Sequence, residues 1–303
     1  MPVALAAVGA NRTLSYIAEV TYGTTPATPT MKYVRAKSGA KFELKRDTFA
    51  SKEISPTRQA VSLTYGNRSG SGDVPFDLSY GSFDDFLEAV MGGTWTTNVL
   101  KIGNTKRSFT FEDAYPDISI FEKNTGVVFS GFSLSVKPNA VVDGSFTHQF
   151  KDQVSAAVTA ATSTTTANTN PVFDSFTGTM TEAGAAIAIV TGIDIKVDQA
   201  ANASNVLFDA TTQQISLGTV NVTGTLVVRF ISNALKAKFL AGTSTDLSFT
   251  IGVTSKTYTF DMSSVILTSA TTDSGESELT QSFAFTAIYN SGDSSSLMIT
   301  RVP

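Results

Sequence analysis

Apolar and polar side chains alternate from Gly72 to Tyr80: Val74, Phe76, Leu78 and Tyr80 fall on one side, Asp73, Asp77 and Ser79 on the other. A period of two predicts a strand with one face toward a core and one toward water. The period then changes. From Ser82 to Gly92, Phe83, Phe86, Leu87 and Val90 recur at helical spacing, which predicts a short helix whose apolar stripe lies on the sheet. Ser82 is suited to cap the first backbone N–H groups, Asp84 and Asp85 favour the positive end of the helix dipole, and Gly92 can take the left-handed conformation beyond the last turn.

The same order returns later in the chain. Val222 to Phe230 reads as a strand, and Asn233 to Gly242 as a helix with Asn233 as its cap and Gly242 as its stop. Ser108 to Asp113 resembles Thr257 to Met262, and Gly144 to Thr147 resembles Gln281 to Ala284. Further alternation predicts strands at Lys41 to Lys45, Gly131 to Lys137, Ile193 to Val197, Leu247 to Val253 and Ser282 to Tyr289. The expected fold is therefore mainly β: two related antiparallel modules of sandwich or barrel type, each with one short α-helix.

Residues 151–171 are small and polar with little to bury, so they are read as an Ala/Thr-rich linker or exposed loop. The expected division is residues 1–150, an N-terminal arm plus the first module, then the linker, then residues 172–303 as the second module. The stretch from Arg46 to Ser71 reads as a long irregular loop between two strands, with Lys52, Glu53, Arg58 and Arg68 on it. Loops of that length are functional or disordered. Met1 to Pro29 is expected to be an extended arm, disordered before assembly.

Composition narrows the function. A formal charge of -4 argues against tight binding of nucleic acid, which runs on phosphate neutralisation by a basic surface. With no cysteine there is no disulfide, thiolate metal site or cysteine nucleophile, and His148 as the sole histidine leaves imidazole triads and multi-histidine metal sites unprovisioned. No cofactor is expected. The opening ten residues lack the positive region of a secretory signal, and no apolar run is long enough to span a bilayer, so a cytoplasmic product with no membrane insertion is expected. The sequons at Asn67 and Asn221 carry no weight in such a chain.

Ala18 to Pro29, Ser71 to Ala89 and Phe132 to Ala140, in that order and spacing, resemble the tail tube proteins of phages with long non-contractile tails, and Val222 to Leu226 extends the resemblance into the second half. It implies rings of β modules stacked into a hollow tube in the virion tail, built in the cytoplasm of the host bacterium, through which the genome passes. It also implies partners: other copies of the chain, the tail terminator, distal tail and tape measure proteins, and DNA in transient, non-specific passage. Arg46 to Ser71 resembles the family's stacking loop, which would give Lys52, Glu53, Arg58 and Arg68 a role between rings.

In such a tube Asp73 and Asp77 would face the lumen and repel a polyanion instead of trapping it. Alternation adds Glu43, Asp194 and Asp198 to that face, together with Lys41, Lys45 and Lys196, which weaken the field. An ordinary solvated sheet face would carry the same residues. If each half is a full module, three chains make a ring of six modules; one module plus a divergent outer domain would require six chains.

Two other classes compete. An adhesin, surface-layer or capsid-decoration subunit would share the Thr-rich, Phe-rich, cysteine-free composition. A glycan-degrading enzyme would use paired carboxylates such as Asp84 with Asp85 or Glu276 with Glu278, but a helix start accounts for the first pair and a solvated Ser/Gly-rich turn for the second. Among single features, His148 shares a strand face with Phe146 and Phe150 and reads as a buried or half-buried histidine. Trp95 reads as a lid on the core, and Gly66, Gly70 and Gly72 lack the strand-to-helix turn of a phosphate-binding loop.

Overall fold

The computed structural model describes residues 6–187, 189–253, 255–276 and 278–303. With 53% of residues in strands and 7% helical, the chain is mainly β, and its sheets are not closed into a barrel. The first half runs β1 (Thr13–Ala18), β2 (Thr30–Tyr33), β3 (Glu43–Ala50), β4 (Leu63–Asp77), α1 (Asp84–Met91), β5 (Val99–Lys101), β6 (Phe109–Tyr115), β7 (Ile120–Val136) and β8 (Asp143–Phe150). Then come β9 (Asp152–Ala156), β10 (Ser163–Thr165), β11 (Gly178–Glu182), β12 (Ala185–Ala186), β13 (Val190–Asp198), β14 (Asn202–Ser204), β15 (Gln214–Ser216) and β16 (Asn221–Arg229). The chain ends with α2 (Ala234–Ala241), β17 (Thr245–Val253), β18 (Lys256–Thr272), β19 (Thr280–Ala287) and β20 (Met298–Val302).

The two halves repeat one set of antiparallel pairings. In the first, β1 pairs β6, β6 pairs β7, β7 pairs β8 and β9, β8 pairs β4, and β4 pairs β3. In the second, β11, β17, β18, β19, β20, β16 and β13 repeat the parts of β1, β6, β7, β8, β9, β4 and β3 in turn. The strands β7 and β18, each of 17 residues, pair along their first part with β6 and β9 or with β17 and β20, and along their later part with β8 or with β19. Each bends at an equivalent bulge, between Phe129 and Gly131 in one and between Leu267 and Ser269 in the other.

Equivalent glycines mark the same duplication. A Cβ on Gly72 would lie 1.9 Å from the Lys41 carbonyl oxygen and 3.0 Å from the His148 ring; one on Gly224 would lie 2.3 Å from the Asp194 oxygen and 2.4 Å from the Phe285 ring. At both positions an aromatic ring from the neighbouring strand covers bare backbone, which only glycine permits. Gly72 is thus a packing glycine.

The halves join through their sheets. The later part of β7 pairs with β13, placing Val136 opposite Ile193, Leu134 opposite Ile195 and Phe132 opposite Val197. One antiparallel sheet of eight strands results, in the order β3-β4-β8-β7-β13-β16-β19-β18. Its inner face carries Val74, Phe76, Phe132, Phe146, Ile195, Leu226 and Phe283, all buried in a core shared by both halves. Helix α1 lies on this face with Phe86, Leu87 and Val90 buried, as the sequence stripe predicts. Strand β20 pairs with both β18 and β5 and so ties the C-terminus to the first half.

Several expectations are corrected. Most of Arg46 to Ser71 is not irregular: β3 and β4 continue as a hairpin to Ala50 and Leu63, leaving 51–62 as its tip. The expected N-terminal arm contributes β1, whose Leu14 and Tyr16 are buried between β2 and β6; Met1 to Leu5 lie outside the described residues. The expected linker is laid on the first half, β9 against β7 and β10 parallel to β2, and Glu112 accepts bonds from Thr159 and Ala160. Small polar residues suit an edge strand that hydrogen-bonds through its backbone without burying side chains. Ser82 does not cap α1; its hydroxyl pairs with Ser79 at 2.6 Å, and the capping position is Phe83. Asn233 stands at the start of α2 without a side-chain cap bond, whereas Gly92 and Gly242 adopt φ of 60° and 63° as expected. Thr257 to Met262 lies at the start of β18 and so matches the start of β7, not Ser108 to Asp113 beside it.

Candidate assembly surfaces

The outer face of the eight-stranded sheet is polar. Cross-strand register puts Asp77, Asp143, Ser135, Asp194, Thr225 and Ala284 in one rank across six strands. A second rank runs Asp73, Thr147, Gly131, Asp198 and Asn221, and Glu43 stands opposite Ser71 on the same side. All five carboxylates singled out by alternation therefore share one face, opposite the core. Asp143 belongs with them; its parity with Ser145 and Thr147 is the signal that places it there.

This face forms a trough of about 800 Å³ spanning both halves, lined by Pro75, Ser133, Asp143, Lys196, Thr223 and Thr286 among others. Its charges largely cancel. Lys37 pairs with Asp77 at 2.8 Å, and the hydrogen bond to Asp77 raises the ammonium above its ordinary value against a small desolvation. Lys196 lies 3.8 Å from Asp198, and Lys41, Lys45 and Lys137 also face outward from these strands. Six carboxylates and five lysines leave little net potential, so the surface is less acidic than the five named acids alone suggest.

A second surface is the β3–β4 arm. Phe49, Ile54, Val61, Leu63 and Tyr65 are exposed along it, with Ile54 at the tip fully so (105%). Single exposed apolar residues are ordinary, but a cluster on one projecting hairpin marks a contact surface. Lys52, Glu53 and Arg58 lie at this tip, all exposed and with no ion pair among the described residues. Arg68 sits lower on β4, where its guanidinium donates to Asp152 at 3.0 Å and its backbone N–H to Ala210 at 2.8 Å; its charge is used within the chain. Arg46 stacks on Tyr65 at 4.4 Å and stiffens the arm.

The second half has a matching projection that sequence alternation does not reveal. Where β3 and β4 carry their arm, β13 and β16 carry the β14–β15 hairpin, and Val206, Leu207 and Phe208 at its tip are exposed, Phe208 fully (106%). The helices differ too. No described residue of α2 is buried, Leu235 and Phe239 touch the core only in part, and Leu240 points to solvent.

The acids at the start of α1 hold the molecule together. Asp84 accepts hydrogen bonds from Tyr258 of β18 and Arg301 of β20, while Asp85 accepts them from Tyr16 at 2.8 Å and Lys32 at 2.9 Å. Burial raises the Asp84 carboxyl above its usual range. At Asp85 burial pushes the same way but is outweighed by the bonds from Lys32 and Tyr16, so its carboxyl lies below the usual range. Arg301 also stacks on Trp95 at 4.4 Å, which makes Trp95 a partly buried lid. Glu278 meets Arg229 at 3.4 Å on an exposed loop.

His148 is buried among Phe42, Phe129 and Phe150, with neither ring nitrogen hydrogen-bonded among the described residues; desolvation pushes it down to about 3. The described residues hold no cluster of three or more metal-ligating side chains, and none of their helices is long and apolar enough to cross a membrane. No curated protein matches the chain. A family model described as phage tail tube protein matches residues 9–287.

Proposed function

Because this chain belongs to the phage tail tube protein family, a structural component of the virion tail, we propose that it is the major tail tube subunit of a long, non-contractile tail. Copies assemble in the host cytoplasm into rings, the rings stack into a hollow tube, and the genome passes through it. The observation that carries this reading is the eight-stranded sheet: two equivalent four-stranded halves joined edge to edge, apolar inside, polar outside, and open at both ends. A sheet with open edges is a template for further pairing unless something covers it.

In this reading the polar trough with Asp73, Asp77, Asp194, Asp198 and Glu43 lines the lumen. Near charge balance and the lack of a basic stripe let DNA slide without being held. The arm with Lys52, Glu53, Arg58 and the exposed Phe49, Ile54 and Leu63 reaches the next ring. Two equivalent halves per chain support three chains per ring. The tail terminator, distal tail and tape measure proteins meet the tube at its ends and in its bore. Negative-stain microscopy of the purified, concentrated protein tests the proposal: hollow tubes of uniform width are expected, and dispersed monomers or flat arrays would contradict it.

A further inference from the structure

The seam between the two halves is a contact between equivalent modules, and both outer edges of the sheet are vacant. Beyond the pairing of β3 with β4, and of the later part of β18 with β19, neither edge strand has a further strand partner among the described residues. Cross-strand partners align the halves residue by residue. Phe146 stands between Val74 and Phe132, and Phe283 stands between Leu226 and Ala270. Val74 thus matches Leu226, and Phe132 matches Ala270. Four residues earlier, Gly70 matches Val222; Leu44 opposes the first and Val197 the second, so Leu44 matches Val197.

Within the chain Val197 faces Phe132 and Asp198 faces Gly131. From these equivalences we infer that β3 of one copy pairs antiparallel with residues 268–272 of β18 in the next, Leu44 opposite Ala270 and Lys45 opposite Ser269. The inference rests on the tube reading and fixes the register of its subunit contact. Burial supports it. At the internal seam Ile195, Val197, Phe132 and Leu134 are at most 2% exposed, whereas their counterparts Phe42, Leu44, Ala270 and Thr272 are only half-buried. A second copy would complete the burial that the seam already has. The occupant is another copy of this chain because its own seam supplies both complementary edges, in the correct polarity and with bulges at matching places.

The chain has no cysteine, so disulfide trapping has no background. Directly opposed residues in an antiparallel pair lie about 4.5–5.5 Å apart at Cα, within disulfide reach, whereas diagonal neighbours lie about 7–8 Å apart. Assembled Lys45→Cys/Ser269→Cys protein, mildly oxidised, is expected to give covalent oligomers on a non-reducing gel at least about tenfold more efficiently than the shifted pair Lys45→Cys/Thr271→Cys. Should the first variant fail to assemble, Glu43→Cys/Thr271→Cys probes the same register and carries the same expectation. Tubes that give no cross-link in register, or a stronger one in the shifted pair, would overturn this pairing and leave the tube reading standing. Unsubstituted protein that forms no tubes would remove the tube reading, and the pairing with it.

Discussion

Val197 of the second half faces Phe132 of the first across the β7–β13 seam, and both side chains are buried. This contact makes two modules into one sheet over one core. Phe132→Ala should cost about 3–5 kcal/mol, the range for truncating a buried phenylalanine. Because the core crosses the seam, chemical denaturation followed by fluorescence and by circular dichroism should show a single coincident transition at lower denaturant, not separate unfolding of two halves.

The network at α1 gives a second expectation. Arg301→Met removes one cation from the buried carboxylate of Asp84 and leaves Tyr258 as its remaining partner. Breaking such a pair from one side costs about 3–5 kcal/mol when fully buried, and the partial exposure here lowers that to about 2 kcal/mol. Thermal unfolding of Arg301→Met beside the double variant Arg301→Met/Asp84→Asn measures it; the double variant should recover part of the loss.

Acid should weaken the fold through His148. Its folded value, pushed down to about 3, lies below the ordinary histidine value near 6.5, so the unfolded chain binds the proton first. The contribution is fully present above pH ~6.5 and is lost progressively as pH falls toward ~3, amounting to about 2 kcal/mol at pH 5. Stability against pH for His148→Phe should lack that portion of the acid limb.

Equivalent glycines should fail alike. Gly72→Ala and Gly224→Ala each drive a methyl group against a carbonyl oxygen and an aromatic ring of the neighbouring strands. Each should cost about 2 kcal/mol or more, typical of an overpacked site, read as a lowered midpoint of thermal unfolding.

Surface substitutions on the arms should separate folding from assembly. Ile54→Asp in the β3–β4 arm should change stability by no more than about 0.5 kcal/mol, since Ile54 touches little in the single chain, yet stop growth at isolated rings in sedimentation and electron microscopy. Phe208→Ser on the β14–β15 tip is expected to shorten tubes in the same assay.

The sequence shows the core strands and α1 because each has a face that must be buried and a face that must not, whereas α2, which buries no described residue, is legible only from its position after β16 and its Gly242 stop. Val74 to Asp77 and Phe83 to Val90 are legible for that reason, and so is the match of Gly144 to Thr147 with Gln281 to Ala284. The strand stops at Asp77, so Ser79, expected on the water-facing side, is instead fully buried and bonded to Ser82 and Arg35. The β3–β4 arm was hidden because its strands bury neither face: Val61, Leu63 and Tyr65 do alternate with polar residues, but the side they share is exposed and so marks no core face. Residues 152–156 and 163–165 were hidden for the opposite reason, having almost no apolar side chains and being held by backbone pairing and polar side-chain bonds such as Gln153 to Asn124 and Thr30 with Ser163. The five acids were readable as members of one face, but the cancelling contact of Lys37 with Asp77 comes from a segment outside the strands, which no period-two pattern connects. The β14–β15 tip carries three apolar residues in a row, a signal that reads as core until the fold shows it in solvent.

The central claim is that two equivalent halves make each chain one third of a ring with a continuous polar bore. Cryo-electron microscopy of tubes assembled from the purified protein tests it most directly. Three chains per ring, with Asp73, Asp77 and Asp194 facing the bore, is the predicted result; six chains per ring, or a bore lined by any other face, would contradict it.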